Sequence, residues 1–212
     1  MSVKSAYHHG DLRNALLEAA DELLQESGLQ GFTLRACARK AGVSHMAPKH
    51  HFKDVRGLLS AVAERGFARL VELLVAHLEQ ARGDLQEEMF ATAAAYAEFA
   101  LGNPEHFRIM FRSDLVGFDP QCPPPSVIDT FTELTNVILR QRGEPEITPA
   151  EMSSPKSAEL VNDIIIGWSH VHGYAHLRLE GQLLMVPEEA HVQHMRTASQ
   201  RLAQLIQSQS EP

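Results

Sequence analysis

Thr33–His51, TLRACARKAGVSHMAPKHH, is the stretch whose reading decides the fold. Thr33 is a favourable N-cap for a short helix with Leu34, Cys37, Ala38 and Ala41 on its apolar side. Gly42-Val43 interrupts that helix, and Ser44 can cap a second one running to about His50, with Pro48 near its middle or end. Two short helices joined at a glycine, the second carrying bases, fit a helix-turn-helix. In that motif the first helix is an apolar prop and the second presents polar side chains to a DNA major groove about 12 Å wide. A glycine-turned hairpin is also common in helical bundles, so spacing alone leaves a purely structural hairpin open.

The surrounding charge favours an anionic partner. Between Thr33 and Arg56 six bases (Arg35, Arg39, Lys40, Lys49, Lys53 and Arg56) face one acid, Asp54, which makes the stretch +5. The whole chain carries −8, so the rest sums to −13. A basic patch on an acidic protein points to a local anionic ligand, although charge runs are commonly just solvated helix faces.

Working outward, helical periodicity dominates. Asp11–Ser27 places Leu12, Ala15, Leu16, Ala19, Leu23 and Leu24 on one stripe, with Asp11 as the expected N-cap and Gly28 as the stop. Asp54 caps a long run through Leu58, Leu59, Val62, Phe67, Leu70, Leu74 and Leu78. Leu85–Leu101 reads as a helix ended by Gly102-Asn103-Pro104, and Glu105–Phe111 as a short one. Gly117–Pro125, with its three consecutive prolines, must be a loop. Ser126–Arg142 returns to helix and stops at Gly143. Pro155 is expected at the first position of a helix reaching about Leu179, and a last helix follows Pro187 and runs through Ile206. No stretch alternates with period two for long, so the expected fold class is all-α.

Composition bounds the rest. The 212 residues are 44% hydrophobic and 22% charged, the balance of a globular chain and not of a disordered or fibrous one. There is no apolar leader and no run of about 18 uncharged apolar residues, so neither a secretory signal nor a membrane span is expected. With only Cys37 and Cys122 a disulfide framework is excluded, and a reducing, cytoplasmic location fits.

Phe32-Thr33-Leu34-Arg35, Ala38–Ser44 (ARKAGVS), Ala47-Pro48 and His51-Phe52 resemble the DNA-binding domain of tetracycline-repressor (TetR/AcrR-type) regulators. Leu58-Leu59 and the opening Tyr7-His8-His9-Gly10-Asp11-Leu12-Arg13 extend the likeness over about the first 70 residues. Trp168 with His172-Gly173 resembles the Trp-His-Gly signature of one C-terminal subgroup of that family. The resemblance implies an N-terminal three-helix DNA-binding domain, residues 1–56, and a larger helical ligand-binding and dimerisation domain, residues 57–212. It also implies a homodimer on a palindromic double-stranded DNA operator, most often a repressor, released by a small-molecule effector. No cofactor or membrane partner is implied.

Carried over residue by residue, the family's DNA contacts fall on Thr33 and Arg35 in the prop helix, and on Ser44 and His45 where the second helix begins. Lys49, His50, His51 and Lys53 complete the set at its end. Two positions depart from the family's habit. Lys49 stands where Tyr is common, and Val55 where Lys is common, an anchor that Lys53 or Arg56 would have to replace. For the ligand, Tyr96, Phe99, Met110, Phe131, Trp168 and His172 are the candidate lining, with simple core packing as the alternative. Glu98 and Asp163 are the acids that would favour a cationic ligand if they face the pocket. Gly167 and Gly173 each cost their helix about 1 kcal/mol, which close helix approach, within the fold or across a dimer, must offset.

The competing function class is an all-helical enzyme with a histidine centre. His172/His176 and His191/His194 have metal-ligand spacing, but 12 histidines produce such pairs by chance. No GxSxG, HExxH or phosphate-loop pattern occurs, so neither catalysis nor a metal is expected. Cys37 reads as a small core residue, and Cys122 as a thiol without a resolving partner.

Overall fold

The computed structural model describes residues 12–208, so Asp11 as an N-cap and the Tyr7–Gly10 likeness lie outside the described residues. Its α-helices are α1 (Leu12–Ser27), α2 (Leu34–Lys40), α3 (Ala47–Phe52), α4 (Val55–Ala81), α5 (Leu85–Gly102), α6 (Pro104–Met110), α7 (Pro125–Gln141), α8 (Ala158–Leu179) and α9 (His191–Ser208). Among the described residues there is no β-strand, only an isolated bridge between Asp119 and Cys122. The all-α expectation holds. The chain divides into two compact units, one taking residues up to Gly66 with Glu105–Cys122, the other Phe67–Pro104 with Pro123 onward.

In the first unit the predicted stripe of α1 is buried at Leu16, Ala19, Leu23 and Leu24, with Leu17 and Ala20 beside it. It packs on α2 and α3, which bury Cys37, Ala38, Pro48 and Phe52, while the start of α4 adds Leu58, Leu59 and Val62. The local signals work as chemistry predicts. The Thr33 hydroxyl oxygen accepts the Ala36 N–H at 3.0 Å, and the Asp54 carboxylate accepts the Gly57 N–H at 2.8 Å. Gly28 and Gly42 stop their helices at φ 59° and 67°, where a side chain would be strained.

Two helix starts differ from expectation. α3 begins at Ala47 instead of at Ser44. Ser44 closes a turn, its hydroxyl accepting the Met46 N–H at 3.3 Å and its carbonyl the Ala47 N–H at 2.9 Å. Pro48 then occupies the first turn, where its missing N–H costs nothing, instead of an interior position where it would break the ladder. α8 likewise begins at Ala158, capped by Ser157, whose hydroxyl accepts the Leu160 N–H at 3.2 Å. Pro155 stays in the connector, which Lys156 pins by donating to the carbonyls of Met152 and Ser154 at 2.9 and 3.1 Å.

A buried polar contact also joins the first unit. His106 of α6 lies 3.0 Å from Asp21 of α1, and Arg65 of α4 approaches the other Asp21 oxygen at 3.5 Å. Burial of such a pair is tolerated because each group finds a partner.

The second unit is organised around α5, which is apolar on every side and buries Met89, Tyr96, Phe99 and five alanines among others. Helices of this kind sit inside a bundle. α7, α8 and α9 all pack on α5. Leu78, Met89, Val137, Ile138, Leu139, Leu160, Leu202 and Ile206 form one core cluster. Gly167 is explained here: a Cβ at that position would meet Ile138 Cδ1 at 3.0 Å.

Candidate functional site

All eight residues expected to meet DNA are exposed. Thr33 and Arg35 stand on the opening of α2, Ser44 and His45 in the turn before α3, and Lys49, His50 and His51 along α3. α3 turns Pro48 and Phe52 inward, so its remaining side chains are the ones offered to solvent. Lys53 caps α3 with its N–H on the Lys49 carbonyl at 3.0 Å, and its φ of 66° with ψ −59° makes a turn into α4, closed by the Asp54 N–H on the Phe52 carbonyl at 2.7 Å. That turn is tight. A Cβ on Gly57 would stand 2.0 Å from the Phe52 carbonyl oxygen.

The structure redistributes the positive charge read from the sequence. Lys40 is occupied within the unit, 3.0 Å from Glu22 and 2.9 Å from Glu26, pairs that push its pKa up. Arg56 donates through Nη2 to the carbonyls of Ser113 and Val116, both at 3.1 Å. Arg56 is therefore committed to that loop, which leaves Lys53 as the exposed cation nearest the missing Val55 anchor. Arg35, Arg39, Lys49 and Lys53 have no ion-pair partner among the described residues. Sequence reasoning missed the Arg56 latch because its partners lie 57 and 60 residues away.

The candidate ligand lining is partly brought together. Tyr96 Oη lies 2.8 Å from His172 Nδ1 and accepts the Trp168 indole N–H at 3.2 Å. Phe131 meets Trp168 edge-on at 5.3 Å between ring centres, and the His172 and His176 rings are 4.6 Å apart. Burial pushes the Tyr96 phenol well up, and pushes His172 down to about 4 with help from the charge of His176. Phe99 is wholly buried in the same unit. Met110 is not part of this cluster: it belongs to the first unit, against Gly66.

The space beside Trp168 is small. Met89, Thr92, Leu134, Ile138, Ile164 and Trp168 are among the walls of a cavity of only about 20 Å³. That is room for a water-sized guest, not for a ligand of 300 Å³ or more. The two acids expected beside the ligand are elsewhere engaged. Asp163 is buried against Arg142 at 2.5 Å, and the exposed Glu98 pairs with His77 at 3.0 Å.

The histidine pairs do not converge further. His191 is buried against the Tyr174 hydroxyl at 2.8 Å, whereas His194 is exposed. Among the described residues no three His, Cys, Asp or Glu side chains are placed to hold a metal ion. Cys37 is buried and its thiol pKa is pushed up to about 11, which makes it an inert core residue. No described helix is long and apolar enough to cross a membrane.

Comparison with known proteins agrees with this arrangement. Residues 16–62 match the family described as bacterial regulatory proteins, tetR family, and residues 89–198 match the tetracyclin repressor-like C-terminal domain. The chain is 32% identical over 96 residues to the class A tetracycline repressor protein from transposon 1721 in Escherichia coli, covering 45% of this chain and 43% of that one. It is 26% identical over 98 residues to an uncharacterised helix-turn-helix transcriptional regulator, YobS, of Bacillus subtilis (strain 168), covering 46% of this chain and 50% of that one. It thus spans half or less of the length of these curated relatives. Among solved structures, a protein of unknown function from Rhodococcus sp. RHA1 superposes with a TM-score of 0.72 at 29% identity, over 93% of this chain and 98% of that one. A TetR protein from Acinetobacter baumannii AYE, solved with minocycline, shares the fold at a TM-score of 0.63 and 19% identity, over 98% of this chain and all of that one. These matches do not single out the Trp-His-Gly subgroup. With one model on the helix-turn-helix and another on more than half of the chain, the protein belongs to the TetR family of transcriptional regulators.

Proposed function

We propose that this protein is a ligand-controlled repressor that binds a palindromic double-stranded DNA operator as a homodimer. The observation that carries the reading is the exposed, uncompensated set of Arg35, Lys49 and Lys53, with His45, His50 and His51, on a helix-turn-helix in an otherwise acidic chain. Residues 1–56 form the DNA-binding domain and 57–212 the ligand-binding and dimerisation domain. Thr33, Arg35, Lys49 and Lys53 contact phosphates, Ser44 and His45 lie near phosphates and base edges, and His50 and His51 lie towards the end of the recognition helix. Phosphate contacts set affinity and its salt dependence, and base-edge contacts set sequence preference.

The dimer reading is supported by apolar side chains left uncovered on α8 and α9: Val161, Ile165, Ile166 and Leu177 on the former, Val192 and Leu205 on the latter. Gly173 adds to it. A Cβ there would meet nothing within 4 Å, so packing inside the protomer does not require the glycine, and the open space supports close approach by a second copy. In this reading Tyr96, Phe99, Phe131, Trp168 and His172 wall a small-molecule site that opens on ligand entry, and the protein acts in the cytoplasm without a catalytic role.

Fluorescence anisotropy against DNA upstream of the protein's own coding region, at several salt concentrations, tests the proposal. Saturation at two protomers per site, with affinity far above that for scrambled DNA, is the expected result. Equal, weak and salt-labile binding to both DNAs would overturn it.

A further inference from the structure

We propose that the corner between the end of α4, the start of α5 and α7 is a binding site for a lipophilic organic cation. A cavity of about 500 Å³ opens there, within the usual 300–1,000 Å³ of small-molecule sites and far larger than the space beside Trp168. Its apolar surface comes from Val75, Leu78 and Leu85. Its charged lining is four carboxylates, Glu79, Glu88, Glu133 and Glu146, against two guanidiniums, Arg82 and Arg140.

The charges are not evenly matched inside the cavity. Arg140 is already shared, with Nε 2.5 Å from Glu88 and Nη1 3.2 Å from Glu146. The second Glu88 oxygen accepts the Gly83 N–H at 3.1 Å. Glu133 has neither a hydrogen bond nor an ion pair among the described residues, although it is half-buried. Burial raises its pKa from the ordinary carboxylate value, with the Arg140 charge opposing. A partly desolvated carboxylate that forms no ion pair, in a lining of four carboxylates and two guanidiniums, is a cost that an incoming cation reduces.

The same observations select the kind of cation. A hard metal ion needs several oxygens converging at 2.0–2.6 Å. No group of three or more potential ligands is so placed among the described residues. A large, weakly hydrated cation instead needs an aliphatic floor and one facing negative charge, which Val75, Leu78 and Glu133 supply. This cavity shares no wall residue with the Trp168 cluster and would be a second ligand site of the same unit. Its regulatory meaning rests on the effector reading, whereas binding itself does not.

Tetraphenylphosphonium and tetraphenylborate, alike in shape and opposite in charge, are the probes for calorimetric titration of the DNA-free full-length protein. The phosphonium should bind saturably and about tenfold or more tighter than the borate. Glu133→Gln should weaken the phosphonium about fivefold. Adding Glu79→Gln should weaken it further. Glu72→Gln, an exposed site on α4 outside the cavity, removes the same net charge and should change nothing. Circular dichroism confirms that each variant is folded. Equal binding of the two ions, tighter binding of the borate, no phosphonium binding, or identical behaviour of Glu133→Gln and Glu72→Gln would each overturn the proposal. Operator binding by anisotropy is a separate readout: its failure would strike the regulator reading and leave the cation site standing, and the reverse holds equally.

Discussion

Replacing His172 by asparagine should remove a large part of the acid sensitivity of the unit that contains it. Tyr96 Oη accepts from the Trp168 indole and lies 2.8 Å from His172 Nδ1, and with His172 in its Nε2–H tautomer the phenol donates to that nitrogen. Burial, and then the charge of neighbouring His176, lowers the His172 pKa to about 4 from 6.5. Well above pH 6.5 the folded and unfolded states both hold the neutral ring, so the full stability is present there. As pH falls from 6.5 toward 4 the unfolded chain takes up the proton first, and stability is lost through that window. The difference between the two pKa values corresponds to about 3 kcal/mol. The ring is only half-buried, and solvent screening reduces this to about 1–2 kcal/mol. Asparagine places an oxygen near the Nδ1 position and does not titrate. Trp168 is the only tryptophan and adjoins the site, so its fluorescence reports urea unfolding of this unit. Between about pH 7 and pH 4.5 the variant should lose about 1 kcal/mol less than the wild type. A wild-type-minus-variant difference that stays constant within about 0.3 kcal/mol across that range would refute the reasoning.

Further outcomes follow from the two units. Lys49→Ala should weaken binding to operator and scrambled DNA alike and reduce the slope of log K against log salt by about 1, read from anisotropy titrations. Gly57→Ala should cost about 2 kcal/mol or more, because its Cβ would collide with the Phe52 carbonyl; Gly102→Ala, whose Cβ meets nothing, should be close to neutral in the same thermal melts. Ile165→Glu, on the uncovered face of α8, should shift sedimentation from dimer to monomer while leaving helical content intact.

The parts of the molecule legible in the sequence are those whose causes are local. The stripe Leu16, Ala19, Leu23, Leu24 declares α1 because helix neighbours are three and four residues apart. Thr33, Gly28, Gly42 and Gly143 declare helix ends because capping and left-handed backbone are properties of one residue and its near neighbours. Two helix starts carry competing local signals. Ser44 against Pro48, and Pro155 against Ser157, were each decided by which residue the first helical turn could use.

The candidate site divides in the same way. Exposure of Lys49, His50 and His51 was readable once α3 was placed, since Pro48 and Phe52 fix its inward side. The state of Lys40, Arg56 and Asp163 was not readable, because Glu22, Val116 and Arg142 are chosen by packing between distant segments. Nor was the location of open volume. The aromatic residues that suggest a pocket fill one another's space around Tyr96, while the larger cavity is bordered by glutamates, which no periodicity distinguishes from a solvated face.

By itself the sequence determined that this chain is helical, where most of its helices begin and stop, and that its N-terminal region carries a helix-turn-helix, since backbone propensity, capping and the period of 3.6 act within a few residues. Only the tertiary structure decided which cations remain free, that Met110 and Trp168 belong to different units, and that an unpaired Glu133 borders an open cavity. Those outcomes depend on which surfaces exclude water together, and burial is a property of the assembled chain and not of any segment of it.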